Sequence, residues 1–131
     1  MKYDEQNIML ILSSPSGVGK TTITKKLQQK YKSFTISVSH TTRSPRSNEV
    51  NGVDYNFISI NHFKKLISEG RFYEYAKIFE NYYGTLKQNV DTTIKKNDII
   101  FDIDWQGTKQ LSKFKNLNLL KIFLITDSKQ E

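Results

Sequence analysis

The chain contains no cysteine. That excludes a disulfide framework and every mechanism that runs through a thiolate, and it fits a reducing cytosol. Long apolar runs are missing as well. The N-terminal run, Ile-Met-Leu-Ile-Leu at residues 8–12, is too short for a signal-peptide core or a membrane span, so the expectation is a cytoplasmic protein without a membrane partner. No internal repeat, low-complexity tract or linker rich in Pro, Gly or Ser divides the 131 residues, which amount to one domain's worth of chain with a sizeable core. The histidines are only His40 and His62, too few for a metal centre of their own. Acidic residues are the minority, 13 against 20 basic, for a net charge of +7. A basic chain calls for anionic partners: nucleotide phosphates, nucleic acid or a membrane surface. Yet lysines such as Lys25, Lys26, Lys30 and Lys32 are spread along helical stretches and read as solvated faces. No basic cluster interleaved with aromatics is visible, so nucleic acid is not expected as a partner.

What is present centres on one stretch. The apolar run at 8–12 ends in Ser13-Ser14-Pro15-Ser16-Gly17-Val18-Gly19-Lys20-Thr21-Thr22, after which a helical pattern begins. A buried strand, a small-residue loop and a helix N-terminus form the context of a phosphate-cradling loop. Small residues and glycines let backbone N–H groups approach phosphate oxygens, and the helix dipole favours the anion. Lys20 brings a mobile charge to the β- and γ-phosphates, and the Thr21 hydroxyl can ligate Mg²⁺. The expected ATP-binding residues are Ser14, Pro15, Ser16, Gly17, Val18, Gly19, Lys20, Thr21 and Thr22. Ser14 occupies the position where the pattern G-x-x-x-x-G-K-[ST] has its first glycine.

Helical spacing of Ile23, Leu27 and Tyr31 predicts a helix over 21–32, and an apolar, β-branched run predicts a strand over 34–39. Beyond a polar segment, 55–58 is strand-like. Residues 61–69 form a helix burying Phe63, Leu66 and Ile67 and stopped by Gly70. An aromatic strand over 71–79, a turn over 81–84, a helix over 85–96, a strand over 99–104, a helix over 105–114 with Trp105 packed on the sheet, and a strand over 119–125 complete the series. Strands alternating with helices imply right-handed crossovers and a parallel sheet. Residues 39–87 break that rhythm and read as an insertion with its own strands and helix. At the end, Ser128-Lys129-Gln130-Glu131 has the form of a capping box. It reads either as the start of a further helix or as a simple tail.

Two further constellations carry chemistry. Asp102 closes an apolar strand, where a carboxylate can hold Mg²⁺; the rival role for Asp102 or Asp104 is to cap the helix that follows. Arg43 and Arg46, on a loop stiffened by Pro45, can aim two forked guanidinium groups at one phosphate, with phenolic help from Tyr55 and Tyr83, or stand as solvated loop arginines.

At this point the residues resemble a family. Thr41-Thr42-Arg43, Arg46, Glu49, Gly52, Tyr55 and Phe57 at their spacing look like the guanylate kinase signature, and 81–85 and 102–107 resemble two further blocks of it. The resemblance implies an α/β fold: a P-loop NTPase three-layer sandwich with a parallel core sheet, formed by 1–38 and 88–131. A small inserted mixed α/β subdomain at 39–87 would bind GMP. It implies phosphoryl transfer from ATP to GMP with Mg²⁺ as cofactor, Lys20, Arg43 and Arg46 acting in catalysis, and Thr21 and Asp102 near the metal. Arg43, Arg46, Tyr55 and Tyr83 would hold the GMP phosphate, while Ser39, Glu74, Thr85 and Asp104 would read guanine. Thr85 stands where the family often has serine. A lid and a core helix would lie beyond Glu131, so a protein ending there is expected to turn over poorly. A related module that keeps this fold for peptide binding is the alternative; such modules typically lose the working residues of the loop, whereas Lys20 and Thr21 are present. Oligomeric state is not legible.

Overall fold

In β1 (Met9–Ser13) and β7 (Asp98–Asp102), the successive residues 9–12 and 99–101 are buried on opposite faces of one sheet. Met9, Ile11, Ile99 and Phe101 enter an apolar cluster with Val90, Ile103 and Leu111. Leu10, Leu12 and Ile100 enter a second cluster with Ile23, Leu27 and Phe34. Burial on both faces is why these strands read as unbroken apolar runs instead of alternating. They belong to a computed structural model in which residues 7–13 and 20–123 are described. Among these, β2 (Phe34–Ile36) and β8 (Leu119–Phe123) complete a parallel sheet in the order β2-β7-β1-β8. One face is covered by α1 (Lys20–Lys30) through Ile23 and Leu27. The other is covered by α3 (Lys87–Ile94) through Val90 and by α4 (Trp105–Leu111) through Leu111. Helices on both sides of a parallel sheet give the expected three-layer α/β sandwich.

The insertion forms a second sheet in the order β4-β3-β6-β5. Its strands are β3 (His40–Thr41), β4 (Asn56–Phe57), β5 (Phe72–Ile78) and β6 (Asn81–Leu86); β3 and β4 run parallel and the other pairs antiparallel. The helix α2 (Ile60–Ser68) is capped by the Ser59 hydroxyl, which accepts the His62 amide at 3.1 Å, and Gly70 ends it with φ 67°. Its fully buried Phe63 stacks on Phe72 and Tyr82, with ring centroids 4.5 and 5.2 Å apart. Truncating Phe63 to alanine is expected to cost about 3–5 kcal/mol.

The register of β5 sets the polar face of this sheet. Phe72 pairs with Leu86 and Glu74 with Thr85, so one extra residue, Tyr73, is bulged out. Leu86 and Thr85 are adjacent and point to opposite faces, and so therefore do Phe72 and Glu74. The bulge turns Glu74 away from the aromatic side under α2. It also lets the Tyr73 ring reach the core, edge-on to Phe114, with its hydroxyl on Asp91.

Four expectations are corrected. Residues 81–84 are strand, and the hairpin turns instead at Phe79 and Glu80, with Phe79 at φ 58°. Gly84 is required there because a Cβ would lie 2.9 Å from the Phe72 ring and 3.0 Å from Phe63. Trp105 is 66% exposed instead of buried; α4 buries Gly107 and Leu111. Tyr31 lies past the end of α1 and is exposed beneath the Lys30 ammonium. Leu66 and Ile67 are only partly buried. The capping box at 128–131 lies outside the described residues.

Candidate active site

In an open parallel sheet, ligands bind in the crevice beyond the carboxyl ends of the strands. Here that edge carries Asp102, the last residue of β7, in register with Leu12 of β1. The stretch expected to cradle phosphate, 14–19, lies outside the described residues. So do the side chains of Lys20, Thr21 and Thr22, whose backbone opens α1. Asp104 caps α4: its Oδ1 accepts the Gly107 amide at 3.0 Å. The rival reading of this carboxylate as a helix cap is therefore correct for Asp104.

Among the described residues Glu74 is the most deeply placed charge, only 5% exposed. The Thr85 hydroxyl donates to its Oε2 at 2.6 Å from the facing strand. Burial pushes the Glu74 carboxyl up to about 7; the bond from Thr85 opposes that rise and the Asp104 carboxylate adds to it. The first turn of α4 lies against the same carboxylate, so closely that a Cβ on Gly107 would overlap Glu74 Oε1. A buried acceptor held at a set height, between a hydroxyl and a helix, suits a ligand edge that presents donors.

The arginine loop is organised by Glu49. Arg43 donates from Nη1 to Oε1 at 3.0 Å and from Nη2 to Oε2 at 2.9 Å, and the Arg46 amide donates to Oε1 at 2.8 Å. Glu49 keeps the Arg43 pKa above its ordinary value, against the effect of burial and with help from Tyr83 and Tyr55. In return, Arg43 holds the Glu49 carboxyl below the usual range, and the Arg46 amide adds to this. The Arg43 guanidinium also lies over the Tyr55 ring, 5.2 Å from its centroid, and Tyr55 and Tyr83 tilt together at 5.9 Å. Tyr55 is held above its usual pKa by burial first, and among the charges it feels is Asp102.

Arg43, Tyr55 and Tyr83 are thus one cluster, and Glu74, Thr85 and Asp104 are another. Ser39 is half-buried at the entrance to β3, where its carbonyl accepts the Asn56 amide at 2.8 Å. Arg46 joins the arginine cluster through its backbone, and its side chain is exposed. Two residues without an expected role belong here. Glu49 is signalled by its spacing of three from Arg46 in a loop that turns back through the bond from the Glu49 amide to the Arg46 carbonyl. Gly107 is signalled only as the last residue of the 102–107 block, and as a glycine inside a helix. Among the described residues no group of three or more His, Asp or Glu is placed to hold a metal, and no helix is long and apolar enough to cross a membrane.

A family model described as guanylate kinase matches residues 6–131. The guanylate kinase of Paramagnetospirillum magneticum is 41% identical over 127 residues, covering 96% of this chain and 59% of its own length. That of Rickettsia prowazekii is 43% identical over 129 residues, covering 98% and 65%. Among solved structures, guanylate kinase from Anaplasma phagocytophilum superimposes with a TM-score of 0.74 at 34% identity, over 90% of this chain and 60% of that one. The chain spans less than two thirds of the length of these relatives.

Proposed function

This chain belongs to the guanylate kinase family, and on that premise we propose that it carries the phosphate-loop core and the acceptor subdomain of an enzyme of purine nucleotide metabolism. The reaction is transfer of the γ-phosphoryl group of ATP to GMP, giving ADP and GDP. In this reading residues 1–38 and 88–131 are the core and 39–87 the acceptor subdomain. The observation that carries it is the buried Glu74 carboxylate, held by Thr85 and turned to the polar face by the bulge at Tyr73. Guanine presents N1–H and a 2-amino group, both donors, and Glu74 can accept from them. Adenine presents an acceptor at N1 and would leave a buried carboxylate unpaired, a mismatch that discriminates by orders of magnitude. Asp104 and Ser39 complete the base pocket.

Arg43, Tyr55 and Tyr83 hold the acceptor phosphate, with Arg46 swinging in from the surface. Transfer needs positioning and charge neutralisation more than covalent catalysis. No general base is required, because the GMP phosphate is already an anion. Ser14 to Thr22 bind ATP, with Lys20 at the β- and γ-phosphates. Asp102 at the end of β7 and, by the sequence pattern, the Thr21 hydroxyl would hold a Mg²⁺ ion, which takes one or two protein oxygens and keeps the rest of its shell for phosphates and water. When bound, that ion neutralises charge on the β- and γ-oxygens. A cytoplasmic location is part of the reading, in keeping with a chain free of cysteine.

The test is ADP production by the full-length protein with GMP varied. Arg43→Ala should raise the KM for GMP by about 10- to 100-fold, the worth of charge-assisted hydrogen bonds, and leave the KM for ATP alone. Lys20→Ala should lower kcat. Normal rates in both variants would contradict these roles.

A further inference from the structure

Among the described residues the strand that carries Glu74 is an edge strand: β5 pairs with β6 on one side only. Its open side is met by the side chain of Gln110 from α4. The Tyr75 amide donates to Gln110 Oε1 at 3.0 Å, and Gln110 Nε2 donates to the Tyr75 carbonyl at 2.6 Å. A primary amide carries one acceptor and two donors on a planar group, so here it occupies the place of a neighbouring strand's peptide unit. Tyr75 directly follows Glu74 in the chain. Residues 104, 107 and 110 recur every three positions and so share one face of α4. From that face Asp104 accepts the Gly107 amide, Gly107 abuts the Glu74 carboxylate, and Gln110 grips the next peptide.

We propose that Gln110 is a positioning residue for base recognition, which sets the height of Glu74 by clipping the Tyr75 backbone to the helix that begins three residues after Asp102. The inference rests on the guanylate kinase reading above and adds to it a part that touches no substrate. Both hydrogen bonds are needed, because the strand's N–H and C=O are the two groups that would otherwise detach from α4 together. Glutamate at 110 keeps the acceptor and loses the donor. Alanine loses both.

The experiment uses the full-length protein with Gln110→Ala and Gln110→Glu, reading steady-state kinetics and exchange of the Tyr75 amide. Loss of the clip should raise the KM for GMP about tenfold in Gln110→Ala, with kcat and the KM for ATP within about twofold of wild type. Discrimination against AMP should fall, and Gln110→Glu should lie between wild type and Gln110→Ala. Exchange of the Tyr75 amide should quicken about tenfold in Gln110→Ala while the amide of Ala76, on the β6 side of the strand, keeps its protection. An unchanged KM for GMP, or equal losses for GMP and ATP, overturns the inference. Unchanged Tyr75 exchange overturns it as well, and does so without reference to activity. If wild type forms no ADP with GMP, the function reading falls on its own, separately from the clip.

Discussion

Glu49 grips Arg43 with both carboxylate oxygens and holds the Arg46 amide with one of them. A single carboxylate thereby shapes the loop that carries both arginines. A forked guanidinium held in place loses less freedom when it meets a phosphate than one that wanders. Glu49→Ala is therefore expected to raise the KM for GMP about tenfold, the worth of one to two charge-assisted bonds, while the KM for ATP stays put. Initial rates with GMP varied at saturating ATP check this. A lower KM would mean that Glu49 competes with the phosphate for Arg43 instead of presenting it.

Glu74 ties stability and recognition to pH. Below its ordinary value of 4.5 the carboxyl is protonated whether the chain is folded or not; between there and about 7 the unfolded chain sheds a proton that the folded protein retains. Stability contributed by Glu74 therefore declines as pH rises through that window, by up to about 3 kcal/mol, and is level above it. Thermal melts from pH 4.5 to 8, compared with Glu74→Gln, isolate this from His40, whose pKa burial lowers. Guanine needs the ionised form as acceptor, so the KM for GMP should fall as pH rises through 7 in wild type and not in Glu74→Gln.

At the tip of the β5–β6 hairpin, Phe79 holds φ 58° and is 94% exposed. A bulky side chain in the left-handed region costs about 1–2 kcal/mol, and this one has almost no packing to lose. Replacing Phe79 with glycine should stabilise the protein by about 0.5–1 kcal/mol after the extra freedom of glycine in the unfolded chain is subtracted. Denaturant unfolding of the two proteins checks the sign. A destabilised variant would show that the ring is packed against something.

The parallel sheet was legible because burial on both faces leaves its mark on consecutive residues: Leu10 and Ile11 face opposite helical layers, and both must be apolar. Sheet edges and turns were less so. Asn81 and Gly84 have the composition of a turn, but the glycine answers to the Phe72 and Phe63 rings, which are distant in sequence. The actual turn, at Phe79 and Glu80, has neither glycine nor asparagine to announce it. The arginine cluster was visible as a spacing, whereas the bulge at Tyr73 that aims Glu74 has no periodicity of its own. The Gln110–Tyr75 clip joins residues 35 apart in the chain, and only the packing of α4 on β5 brings them together.

In the proposed site a buried carboxylate selects guanine and an arginine cluster holds its phosphate for transfer from ATP. ADP formation by the full-length protein, measured in parallel with GMP, AMP and UMP as acceptors, tests it most directly. Turnover with GMP is expected at a kcat/KM at least about 100-fold above that with AMP, the discrimination a site built on hydrogen bonds to donors achieves. ADP formation independent of acceptor, or equal with GMP and AMP, would contradict it.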